Sequence, residues 1–214
     1  MRITKFGHAG VRVEHDGTTV VLDPGVFTQR ESVEGADAVL VTHQHPDHLD
    51  VDNLRAADAP IWTIEEVVDA LREQAPDLVE RTTVVRPGET FDVGVPVLAV
   101  GEMHEVIHPE IPRIHNSGYY LTLGDRTVYH PGDALTPPNN PVDVLLAPSS
   151  APWLRSQMAI DFVRAVGAPT NLAIHDRVHS DAGHQFLATQ MEQLNGPRGL
   201  AWHRIADGED LALD

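Results

Sequence analysis

The sequence predicts an α/β fold of four layers, two β-sheets packed face to face with helices on their outer sides (αββα). Three observations carry it. Short apolar segments bounded by turn residues fill the first third and the middle of the chain. Helical spacing follows strand-like segments in both halves. The longest apolar runs are too short for anything but one buried strand or helix face.

Taken in order, Arg2–Phe6, Val11–His15 and Thr19–Leu22 read as strands, with turns at His15-Asp16-Gly17 and Asp23-Pro24-Gly25. Ala38–Thr42 (AVLVT) is a strand of the buried type. Ile64–Ala75 places Ile64, Val67, Val68 and Leu71 at the i, i+3, i+4, i+7 spacing of a surface helix. Thr82–Val85, Val95–Val100, Tyr119–Leu123, Thr127–Tyr129 and Val142–Ala147 are further strands, two of them joined by a tight hairpin at Leu123-Gly124-Asp125-Arg126. Gln157–Val166 is helical, Asn171–Ile174 a strand and Gly183–Leu194 a helix. A closing strand pair is expected around Leu200–Ile205 and Asp210–Leu213. No repeat, low-complexity tract or linker divides the chain, so one domain over residues 1–214 is expected.

Composition narrows the function. The net charge is −17 and the fifteen basic residues, of which only Lys5 is a lysine, form no basic run. Nucleic acid is therefore a poor substrate, because affinity for phosphate polymers rests on clustered Lys and Arg. No apolar stretch can span a bilayer and the first residues lack a signal core, so no membrane association and a cytoplasmic location are expected. With no cysteine, any metal must be held by nitrogen and oxygen. Thirteen histidines in 214 residues point the same way.

The densest cluster is Thr42-His43-Gln44-His45-Pro46-Asp47-His48, directly after an apolar strand. Side chains alternate as a chain leaves a strand, so His43 and His45 point to one side about 7 Å apart, within reach of one cation. Pro46 redirects the chain into a first helical turn and leaves Asp47 and His48 to approach a second cation. Three imidazoles and a carboxylate in six residues are costly to gather without a metal.

This motif, its position about 40 residues in, and the β-rich segment before it resemble the metallo-β-lactamase fold superfamily. Within it the chain is most similar to the small branch that includes ascorbate-6-phosphate lactonase-like hydrolases. The resemblance runs from Ile3-Thr4-Lys5-Phe6-Gly7-His8 through Val128-Tyr129-His130-Pro131-Gly132-Asp133 to Ala173-Ile174-His175. It implies a dinuclear site between the two sheets and three further ligands. For the first, His104 fits better than His108, which lies in a Pro-containing loop; His115 also competes. The bridging carboxylate corresponds to Asp133, and the last ligand to His175, with His179 and His184 as alternatives. His43, His45, His104 and Asp133 would hold one cation; Asp47, His48, Asp133 and His175 would hold the other. Asp23 is a candidate to orient an imidazole, or else a plain turn residue before Pro24. His8, in Gly7-His8-Ala9-Gly10, lines the pocket or sits in a hairpin. Arg113, with His108 and His115 in the 105–116 loop, could contact an anionic group on a small substrate. His15, His130 and His203 are assigned to structure.

The chemistry expected is hydrolysis of a lactone, ester, amide or phosphoester by a hydroxide that two divalent cations generate at neutral pH, with Asp47 able to accept a proton. Zinc is the default cation; manganese and iron suit the same donors. Three rivals stand beside it: a nuclease, a di-iron oxidoreductase or dioxygenase, and a non-catalytic binding module.

Overall fold

The computed structural model describes residues 1–213. One sheet has six strands in sequential order: β1 (Arg2–Lys5), β2 (Val11–His15), β3 (Thr18–Leu22), β4 (Ala38–Leu40), β5 (Ile61–Thr63) and β6 (Thr82–Val84). The other has seven strands, β7 (Thr90–Asp92), β8 (Pro96–Val100), β9 (Gly118–Leu123), β10 (Arg126–His130), β11 (Val144–Pro148), β12 (Thr170–Ile174) and β13 (Ala201–His203), again in sequential order across the sheet. Each sheet is antiparallel at one side and parallel at the other, the change falling at β3 and at β10.

Alternation along the strands explains the layers. Val20, Leu22, Ala38 and Leu40 point into the core shared with β8, β9, β10, β11 and β12. Val21, Val39 and Val41 point the other way, against α1 (Val51–Ala57) and α2 (Glu65–Gln74). On the second sheet Tyr129, Leu145 and Ala147 meet α3 (Ser156–Val166) and α4 (Asp181–Leu194). The apolar face of α2 is the predicted one, with Val67, Val68 and Leu71 buried. The result is the four-layer αββα arrangement.

The hairpin at 123–126 forms in the expected register, Leu123 opposite Arg126. One expectation is corrected. Residues 210–213 do not pair with β13, which instead extends the second sheet in parallel beside β12. The tail crosses to the first sheet, where Thr4 and Asp210 form a bridge and Leu211 N–H donates to Ile3 O. The buried Lys5 fixes that crossing through ion pairs with Asp207 at 2.6 Å and Asp176 at 2.9 Å. One α-helix and two strands went unpredicted, α1, β5 and β7, each of seven residues or fewer, as did three short 3-10 helices. Periodicity needs more length than that to declare itself.

Among the described residues no helix is long and apolar enough to cross a membrane.

Candidate metal centre

The carboxyl ends of the parallel strands of both sheets point to one edge, and the site is built there. Asp23 follows β3, His43 and His45 follow β4, Asp133 follows β10 and His175 follows β12. His104 follows β8 by four residues. After β4 the chain makes a turn in which His48 and Leu49 N–H both bond to His45 O. Gly25 must be glycine for this turn to seat, since a Cβ there would lie 2.1 Å from the Asp47 carbonyl. Gly132, at φ +61°, lets Asp133 approach, because a Cβ would come 2.2 Å from Asn116 Oδ1.

Two groups of potential donor atoms result, each with its members within 4.8 Å of one another: His43, His45, His104 and Asp133, and His8, Asp47, His48 and His175. Asp133 joins them. Its Oδ1 lies 3.2 Å from Nε2 of both His48 and His175, and its Oδ2 lies 3.2 Å from His104 Nε2.

The outer nitrogens of the imidazoles settle which atoms face inward. His43 Nδ1–H donates to Thr42 Oγ1 at 3.0 Å, and His48 Nδ1–H to Asp23 Oδ2 at 2.6 Å. His104 Nδ1–H donates to Glu105 O at 2.6 Å, and His175 Nδ1–H to Ser150 O at 2.5 Å. In the neutral tautomer each therefore aims an Nε2 lone pair at the centre. His43 Nε2 and His45 Nδ1 stand 3.1 Å apart, a spacing suited to two ligands of one cation. His48, His104 and His175 Nε2 and Asp133 Oδ1 are buried with no well-formed hydrogen bond. Buried polar atoms without partners are costly, and convergent lone pairs repel unless a proton or a cation sits among them. The donor set fits divalent cations.

His8 behaves differently from the other members of its group. Its Nδ1 accepts the backbone N–H of Arg177 at 3.1 Å, so Nε2 carries the proton and donates to Asp47 Oδ2 at 3.1 Å. The ring lies against that of His175, tilted by 48° with centroids 3.9 Å apart. His8 is thus a donor to Asp47 rather than a lone pair for a cation.

The charges are steep. Burial opposes ionisation of Asp133, yet the positive charge on His175 and His48 holds its carboxyl well below the usual range. Burial likewise works against Asp47, but the imidazoles of His175 and His8, 3.3 and 3.1 Å from its Oδ2, hold its carboxyl below the usual range. Against burial, Asp133 pushes His175 up to about 9, and Asp133 with Asp23 raises His48. Burial pushes His43 and His45 down. Three of the five non-glycine residues with positive φ among the described residues, His8, Asp23 and His175, surround the centre.

All seven expected ligands meet here, and Asp23 does more than start a turn. It is fully buried, and besides His48 it accepts Thr42 N–H and Thr42 Oγ1–H, both at 2.7 Å. Of the alternatives, His108 is exposed and accepts Glu110 N–H, while His115 pairs with Glu66 at 2.8 Å beside α2. His184 bonds to Asp176 O, and the His179 ring lies tilted against it, 5.7 Å away. Arg113 Nε donates to His104 O, and Arg113 borders a small cavity with His45 and His104; His108 and His115 are not part of that cavity. His130 donates to Ala9 O and accepts Gly132 N–H, a satisfied structural histidine. Two residues were missed. Trp153 Nε1–H donates to Asp133 Oδ2 at 3.0 Å, and Asn116 Oδ1 accepts Asp133 N–H at 2.9 Å.

The family profile described as the beta-lactamase superfamily domain matches residues 2–175. The chain belongs to the beta-lactamase superfamily. It is 39% identical to the Mycobacterium tuberculosis protein Rv0786c, across 83% of this chain and 85% of that one. A metal-dependent hydrolase of Aeropyrum pernix (UPF0173) is 29% identical across 62% of this chain, a match that spans 61% of the relative's length. Among solved structures, the metallo hydrolase Igni18 of Ignicoccus hospitalis superposes with a TM-score of 0.75 at 17% identity, covering 100% of this chain and 98% of that one. The fold is the one this superfamily's metal-dependent hydrolases share; the ascorbate-6-phosphate lactonase branch is not singled out by these relatives.

Proposed function

We propose that this metal-dependent hydrolase holds two divalent cations side by side and cleaves a small ester, lactone or phosphoester. His43, His45, His104 and Asp133 would hold one cation, and Asp47, His48, Asp133 and His175 the other. The observation that carries the reading is the convergence of otherwise unpartnered Nε2 and Oδ1 atoms on Asp133, with each outer imidazole N–H already engaged. All donors are nitrogen and oxygen, which suits zinc and also admits manganese or iron. Bound there, such a pair would supply Lewis acidity toward the substrate oxygen and bring the pKa of water toward about 7.

The chain's own residues do the rest. Trp153 Nε1–H holds Asp133 Oδ2, and Asn116 Oδ1 holds the Asp133 backbone N–H, so the carboxylate is fixed from both its side chain and its main chain. Asp47 is the carboxylate of the centre that reaches solvent, with 26% of its side chain exposed. It is ionised and steadied by His8, and so is placed to accept a proton from water and return it to the leaving group. A net charge of −17 favours a small-molecule substrate over nucleic acid.

The test is a panel of lactones, p-nitrophenyl esters and phosphodiesters on protein of measured metal content. A rate on one substrate class that vanishes with chelation and returns with metal supports the reading. Iron near two per chain together with oxygen consumption would sink it.

A further inference from the structure

Eight large apolar side chains are exposed among the described residues, and five of them lie on loops beside the candidate ligands. Val26, Phe27, Val106, Ile111 and Val178 are each about half exposed, at 49–50%. They lie on three separate loops, and each loop carries or touches a candidate ligand. Val26 N–H bonds to Pro46 O inside the ligand turn. Phe27 packs edge-on against His8 at 5.3 Å, and His8 lies against His175. Val178 follows Arg177, whose N–H holds His8. Val106 and Ile111 line a small cavity with His45 and His104, which Glu105 and Arg113 also border. Apolar groups therefore bracket the centre at both its His175 side and its His45 side. Of the nearby arginines, Arg177 pairs with Asp207, and Arg113, on the edge of that cavity, donates Nε–H to the His104 carbonyl.

Exposed apolar clusters mark binding surfaces more often than isolated residues do. Here the cluster is confined to ligand-bearing loops, which points to the molecule being hydrolysed as its occupant. We infer that the substrate is an uncharged ester or lactone whose apolar acyl group seats on the collar formed by Phe27, Val26, Val178, Val106 and Ile111. The inference rests on the hydrolytic reading of the centre and names the substrate class for it. A strongly anionic group in the acyl position, such as a sugar phosphate, would lose its hydration against these apolar side chains.

The test uses metal-loaded full-length protein and p-nitrophenyl esters from acetyl to octanoyl. The expected result is a kcat/KM rising about two- to fourfold per methylene over the first several, the range expected for burying part or all of each methylene. The double substitution V106S/I111S and the single Phe27→Ser should each flatten that rise. Phe186→Ser, an exposed aromatic on α4 outside the three loops, should keep it. A flat or falling series in active wild type overturns the inference. Alkanoate binding, read by calorimetry from acetate to octanoate, separates this claim from the one beneath it. Affinity rising with chain length in a protein inert on every ester keeps the apolar collar and refutes ester hydrolysis. A dimer in sedimentation that Phe27→Ser dissociates assigns the collar to a second copy and overturns the inference.

Discussion

The two sides of the centre share Asp133 but are built on opposite electrostatic plans. On the His45 side the imidazoles of His43 and His45 are pushed down, chiefly by burial. The partner that orients His43 is a neutral hydroxyl, and that of His104 a carbonyl. On the His175 side three carboxylates, Asp23, Asp47 and Asp133, surround His48 and His175, whose pKa values rise despite burial. One side is a set of lone pairs waiting for a cation. The other holds protons that a cation must displace. Similar ligand chemistry thus gives two sites of different proton cost.

The severest way to break this arrangement is Asp133→Ala, since both sides lose a donor. Hydrolysis should fall by about a thousandfold or more, the several kcal/mol that Lewis-acid catalysis contributes; retained activity in a steady-state assay would refute the shared carboxylate. Next comes Asp23→Asn, which keeps the shape but removes the charge behind His48. Metal affinity at the His175 side should drop by about 10- to 100-fold, as for other partners of ligating histidines. Isothermal titration should show the His45 side changed less; equal weakening of both would contradict the distinction. A smaller loss, about tenfold, is expected for Trp153→Phe, which leaves Asp133 Oδ2 without its indole donor. Metal titration followed by tryptophan fluorescence checks this twice, because the wild-type signal should respond to loading and the variant's should lose that response.

The pH dependence sharpens the same contrast. His175 titrates near 6.5 when unfolded and about 9 in the metal-free fold. Its contribution to stability is complete below pH 6.5 and fades as pH rises through 9. Metal-free protein should therefore melt at a lower temperature at pH 9 than at pH 6.5. Metal-loaded protein, with that proton displaced, should not show this loss. A metal-free Tm that stays flat or rises over this range would contradict the assignment.

Much of this was legible in the sequence, for physical reasons that differ by residue. His43, His45, Asp47 and His48 fall within six positions, so local geometry alone brings them together. His104, Asp133 and His175 could be picked only because a family likeness said to look beyond later strands. The long helix faces and strand alternations read correctly, whereas α1, β5 and β7 are too short to show a period. Trp153 and Asn116 left no signal, because their worth lies in one hydrogen bond each to Asp133, to its carboxyl group and its backbone N–H, from 20 and 17 residues away. The proton on His8 was equally hidden, fixed by a backbone N–H 169 residues distant. The tail missed its expected partner because Lys5 and the Asp207 region tie it to the other sheet.

The most direct test of a shared, asymmetric centre is to titrate metal-free protein with zinc at pH 7 while counting protons released per cation bound. Two cations per chain are expected, the first taken up with almost no proton release and the second expelling at least one proton. Saturation at one cation, or equal release at both steps, would contradict it.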